Sequence, residues 1–311
     1  MSLLQAGVIL LRFVQYLGAA VLFGSSLFFL FGLPKAGEYA ASNRKLPRQL
    51  IIISAAAVLF SSILGLIAQT GIVAGSLSEG LKLSSLETVI VDMNFGRSSV
   101  VRAGLAALLL FMSGVLRPGY RMWVVSAAGG ILISASFAWM GHAAATEGGG
   151  GDLHLASDII HALAASAWIG SLIVFFVLLF LSGQTPASQR ILLNALNGFS
   201  GIGSTLVAIL IVTGIVNSWF LVGPNGLNGL WSTPYGQLLL TKVALFLGML
   251  GLATLNRFRL APALASRLGQ DYSKPDALAG LRRSIALESG IAFVVLSLVG
   301  WLGTLAPISA Q

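Results

Sequence analysis

Arg117-Pro118-Gly119-Tyr120-Arg121, RPGYR in one-letter code, interrupts an otherwise apolar stretch between residues 98 and 140. Proline fixes its backbone and lacks an amide proton, glycine turns easily, and a charge stands at each end. We read a tight hairpin there. The stretch then holds two helices, roughly 98–116 and 121–140, and this division sets the count for the whole chain. Working outward, further apolar runs lie near 7–33, 49–76, 153–181, 198–222, 236–260 and 283–305. A bilayer core of about 30 Å asks for about 20 residues per helix, so eight spans are expected.

Composition agrees. Hydrophobic residues make up 56% of the 311 and charged residues only 9%, whereas about a quarter of a soluble domain is charged. The runs are long and continuous, without the alternating ten-residue segments of a membrane barrel. The fold class is therefore an all-α integral membrane protein. The first run begins within a few residues of Met1 and is too long, with no small-residue cleavage site, for a removable signal peptide; it is expected to be retained.

The basic residues set the expected orientation. Lys35, Arg44, Lys45 and Arg48 follow the first run, Arg117 and Arg121 mark the hairpin, and Arg190 follows the fifth run. Arg257, Arg259, Arg267, Lys274, Arg282 and Arg283 follow the seventh. The remaining loops carry only Lys82 and Arg97 beside Glu79, Glu87, Asp92, Glu147 and Asp152. By the positive-inside rule the basic loops are cytoplasmic and both termini lie outside. The net charge of +8 thus reports topology, not nucleic-acid binding, which would need a basic soluble face. Cysteine is absent, which excludes thiolate ligands, disulfides and cysteine catalysis.

The runs also repeat in order. Gln15 precedes Gly24-Ser25 by nine residues, and His161 precedes Gly170-Ser171 by nine. Thr70-Gly71-Ile72-Val73 matches Thr213-Gly214-Ile215-Val216; Phe95-Gly96 with Arg102 matches Tyr235-Gly236 with Lys242; Trp139-Met140-Gly141-His142 matches Trp301-Leu302-Gly303-Thr304. Four matches in register predict two four-helix repeats, residues 1–145 and 146–311. Four is even, so the repeats run parallel about an axis along the membrane normal.

All three histidines fall in one segment, GHAAATEGGGGDLHLASDIIH, residues 141–161. Asp152 is positioned to cap the fifth helix. His154, Asp158 and His161 then share one face at spacings of four and three, and His142 arrives from the fourth helix across four glycines. Neutral imidazoles backed by a carboxylate are the makings of a copper or zinc site, so His142, His154 and His161 are the expected metal ligands. Met93, Met112, Met122, Met140 and Met249 could serve a Cu(I) path but read as packing. Charges within apolar segments should pair, and Asp158 is expected to meet Lys242 or Arg102. No nucleophile elbow, HExxH or phosphate-binding glycine loop occurs, so no catalysis is expected.

These residues resemble the copper resistance D (CopD) family. The resemblance rests on the GHA-type helix end, the H-x3-D-x2-H pattern at His154, Asp158 and His161, and Trp168-Ile169-Gly170. It extends through the segments Tyr235–Lys242, Leu255–Arg259 and Leu281–Ser284. It implies an eight-helix bacterial inner-membrane protein that takes periplasmic copper toward the cytoplasm. The family pattern commonly has histidine where this chain has Gln15, an amide and a far poorer ligand. A haem protein of the cytochrome b type, with His142 and His161 as axial ligands, is the rival reading. The segments 77–97 and 223–235 offer a surface for a periplasmic copper chaperone, and membrane lipid is the remaining partner.

Overall fold

A computed structural model describes residues 2–32, 45–141, 143–146, 148–181, 186–267 and 276–311. Among these, eight helices are long and apolar enough to cross a membrane, and no strand occurs. The spans are α1 (Leu3–Leu27), α2 (Lys45–Val73), α3 (Asn94–Val115), α4 (Tyr120–Ala135), α5 (Gly151–Leu181), α6 (Pro186–Val222), α7 (Pro234–Leu255) and α8 (Asp276–Leu302). The hairpin at Arg117–Arg121 is a tight connection: α3 ends at Val115 and α4 begins at Tyr120.

Local chemistry sets the ends. Ser2 caps α1 by accepting from the Gln5 amide at 3.2 Å, while Gln5 returns a bond to the Ser2 amide at 2.9 Å, a reciprocal pairing that satisfies two orphan donors. At α7, Thr233 accepts from the Gly236 amide at 3.0 Å and Pro234 takes the first helical position, where its missing N–H costs nothing. Two helices continue into π-helical turns, α1 into Phe28–Gly32 and α7 into Asn256–Leu260.

Several boundaries differ from the sequence reading. The segment 77–97 is mostly helical, with short helices at Leu77–Gly80 and Leu83–Asp92. α5 starts at Gly151, so Asp152 sits in its first turn and does not cap it. α6 starts twelve residues earlier than its apolar run, because the segment from Pro186 mixes polar with apolar side chains that a hydropathy count passes over.

Two helices form the centre. α1 and α5 cross where Gly24 and Gly170 meet: a Cβ on Gly24 would lie 2.6 Å from the Gly170 Cα, and one on Gly170 only 2.0 Å from the Ala20 carbonyl oxygen. Only glycine lets the backbones come so close. Around this crossing α1 packs on α2 and α4, and α5 packs on α6 and α8. α3 joins α2 and α4, and α7 joins α8. α6 and α7 barely touch, and a cleft opens between them. The core is aliphatic and aromatic, with Phe28, Phe29, Phe175 and Trp123 buried in it. Met122 and Met249 belong to the same core, and Met140 packs against it.

Candidate metal centre

The polar residues of the second half gather where α5, α6 and α7 approach the glycine linker. His161 Nδ1 lies 2.9 Å from Thr213 Oγ1 on α6. That hydroxyl donates its single proton to the Ile209 carbonyl at 2.6 Å, so it accepts from the ring. Nδ1 therefore carries the imidazole proton and Nε2 keeps its lone pair. A histidine locked this way presents one defined nitrogen to a ligand. Ser157 donates to the Thr213 carbonyl at 3.3 Å, which fastens α5 to α6 at the same level.

Asp158 stands three residues before His161 on α5. Its Oδ1 accepts from Asn217 Nδ2 at 3.3 Å, and its Oδ2 faces Gly141, where a Cβ would lie 3.7 Å away. The chain thus brings the residue before His142 against Asp158. His142 itself lies outside the described residues. Lys242 is within Coulombic reach of both Asp158 and His161. Among the described residues, however, no ion pair holds Asp158, so the expected direct pairing is not made.

Arg102 is engaged elsewhere. It is wholly buried and donates to Ser136 Oγ at 3.0 Å, to Gln15 Oε1 at 3.0 Å and to the Ser136 carbonyl at 3.4 Å. Its guanidinium also lies 4.3 Å from the Phe137 ring centroid, a cation–π contact. Gln15 in turn donates to the Ser61 carbonyl at 2.8 Å. The Gln15 side chain is thus engaged at both its oxygen and its nitrogen. Arg12 donates to the Gly303 carbonyl.

His154 has a different setting. It is 2% exposed, its Nδ1 is 2.7 Å from Thr146 Oγ1, and its ring stacks on Phe220 of α6 at 4.7 Å and 9°. Seven residues of helix separate it from His161, about 10.5 Å of rise. Its hydrogen bond ties the glycine linker to the start of α5. Among the described residues no three His, Cys, Asp or Glu side chains converge as a metal cluster. Thr213 was visible in the sequence as part of the repeat, but nothing in the spacing marked it as the partner of His161. Asn217, four residues on, gave no signal at all.

Eight apolar spans with buried polar clusters, one of them beside a histidine-bearing linker, define a multi-pass membrane protein with a candidate metal centre. The chain belongs to the copper resistance protein D family. The family profile "Copper resistance protein D-like, N-terminal domain" matches residues 3–152, and "Copper resistance protein D" matches residues 193–302. Copper resistance protein D of Pseudomonas syringae pv. tomato is 35% identical over 305 residues, 96% of each chain. Inner membrane protein YebZ of Escherichia coli (strain K12) is 31% identical over 182 residues, 57% of this chain and 58% of its own. Copper transport protein CutJ of Bacillus subtilis (strain 168) is 29% identical over 127 residues, 41% of this chain and 22% of its own. No solved structure matches the chain.

Proposed function

We propose that this protein binds copper at an outward-facing histidine site in the bacterial inner membrane and moves it from the periplasm toward the cytoplasm, without catalysing a reaction. Family membership supports the copper role, and relatives carry the names copper resistance protein, copper transport protein and inner membrane protein. The observation that carries the site is the lock on His161: Thr213 holds its Nδ1–H, leaving Nε2 for the metal. In this reading His142 supplies the second imidazole from across the linker. Asp158 balances the charge of the ion beside Lys242, and His154 contributes least because it pins the linker to α5.

We read the chain further as two parallel four-helix repeats with both termini outside. The crossing of Gly24 on Gly170 joins positions that match between the halves. α1 packs on α2 as α5 does on α6, α3 on α4 as α7 on α8, and α1 on α8 as α5 on α4. In the first half Gln15 stands where His161 stands in the second, and Arg102 where Lys242 stands. One metal site, in the second half alone, follows from this. A periplasmic copper chaperone would dock over the helices at Leu77–Gly80 and Leu83–Asp92. The test is copper uptake by cells carrying wild type or His161→Ala: we expect accumulation to drop to the level of cells without the protein. Undiminished uptake would refute the role given to His161.

A further inference from the structure

Glu288 lies near the middle of α8, against Trp168 of α5, and the metal reading makes no use of it. It is 2% exposed. Its Oε2 accepts from Asn256 Nδ2 at 3.0 Å, and Trp168 is a second hydrogen-bonding neighbour. Both partners are neutral, and among the described residues no ion pair involves Glu288. A carboxylate in an apolar span is costly without a cation or a wet cavity.

Glu288, Asn256 and Trp168 line a cavity of about 430 Å³ where α6 and α7 splay apart over α5 and α8. The walls are largely apolar and aromatic, with Phe175, Phe199, Val207, Leu250 and Phe258 among them. Asn256 opens the π-helical turn that follows α7, and its Oδ1 is buried with no hydrogen-bond partner. The basic lining residue, Arg257, is engaged at the wall of the cavity: its Nη1 donates to the Ser200 carbonyl at 3.2 Å and to the Ser204 hydroxyl on α6. Other charges on the elements around α8 are committed too. Arg12 serves the Gly303 carbonyl, Arg282 the Leu179 carbonyl, and Asp158, His161 and Lys242 belong to the histidine site. Arg259 is exposed.

The space is far larger than a bare metal ion needs and falls within the range of small-molecule pockets, which begin at about 300 Å³. Its polar lining includes two buried acceptors, the Glu288 carboxylate and Asn256 Oδ1. We propose that this cleft is a binding site for a small lipophilic ammonium compound, its charged N–H head on Glu288 and Asn256 Oδ1 and its apolar body against Phe175, Phe199 and Trp168. The carboxylate supplies the charge complement and the rings add cation–π attraction. Ser204, Thr254 and Phe258 form the exposed rim through which such a molecule enters between α6 and α7.

The test is calorimetric titration of the purified full chain in detergent with 2-phenylethylammonium chloride, and in parallel with the neutral 2-phenylethanol. We expect saturable 1:1 binding of the ammonium, weakened roughly tenfold or more for the alcohol and for Glu288→Gln, the loss expected of a charge-assisted hydrogen bond. Val207→Trp, which fills the cavity and leaves Glu288 in place, should abolish binding with the thermal midpoint unchanged. Absence of saturable binding, equal binding of the alcohol, or binding indifferent to Glu288→Gln or to Val207→Trp would each overturn the proposal. None of these outcomes depends on copper at the histidines.

Discussion

At the scale of single residues, His161 and Gln15 occupy matching places with opposite consequences. The imidazole is held through one nitrogen and keeps the other available, while the amide is consumed on both ends by Arg102 and the Ser61 carbonyl. Thr213→Val keeps the shape and removes the acceptor for Nδ1–H, so the ring loses its fixed orientation. We expect copper affinity to fall about 10–100-fold, as for other residues that orient metal ligands, measured by competition with a chromophoric chelator. Conversely, Gln15→His should add no copper to the purified protein by elemental analysis, because the Arg102 guanidinium already stands where a cation would sit. Protons compete with the metal for an imidazole nitrogen, so affinity at the site should weaken as pH falls. The chelator titration repeated at several pH values checks the sign.

At the scale of elements, the crossing of α1 and α5 organises the fold. Gly170→Ala drives a Cβ into the Ala20 carbonyl, a backbone atom with nowhere to go, and overpacking of this kind typically costs about 1–3 kcal/mol. We expect a lower thermal midpoint for Gly170→Ala, whereas Gly248→Ala on α7, with open space around it, should leave the midpoint unmoved. Spans were legible in the sequence because membrane helices must satisfy their backbones internally and bury their runs in lipid. The hairpin at Arg117–Arg121 was legible from its turn residues. The helices at Leu77–Gly80 and Leu83–Asp92 were not, since short segments of mixed polarity carry no spanning signal. The early start of α6 escaped notice for the same reason. Polar partners such as Asn217 for Asp158 and Ser136 for Arg102 depend on which faces meet, and helical spacing alone does not specify that.

At the scale of the whole molecule, charge and openness are both unevenly placed. The basic residues Arg117, Arg121, Arg257, Arg259 and Arg283 cluster at the end away from the histidine linker. A cysteine at Gly149 should therefore react with an impermeant thiol reagent in intact cells, and one at Arg121 should not; the absence of native cysteine keeps the labelling clean. Labelling only at Arg121 would reverse the orientation. The cleft between α6 and α7 could not be read from the chain, because it arises from how far two helices stand apart, a property of the packing around them. The histidine segment, in contrast, was legible from composition alone: three residues of one kind lie within 20 positions and none elsewhere. The most direct measurement is the copper content of the purified protein and of its His142→Ala/His161→Ala double variant after loading and gel filtration. We expect about one copper per chain in the wild type, the number that a single site of converging imidazoles holds, and none in the variant. Equal copper in the two proteins would contradict the histidine site.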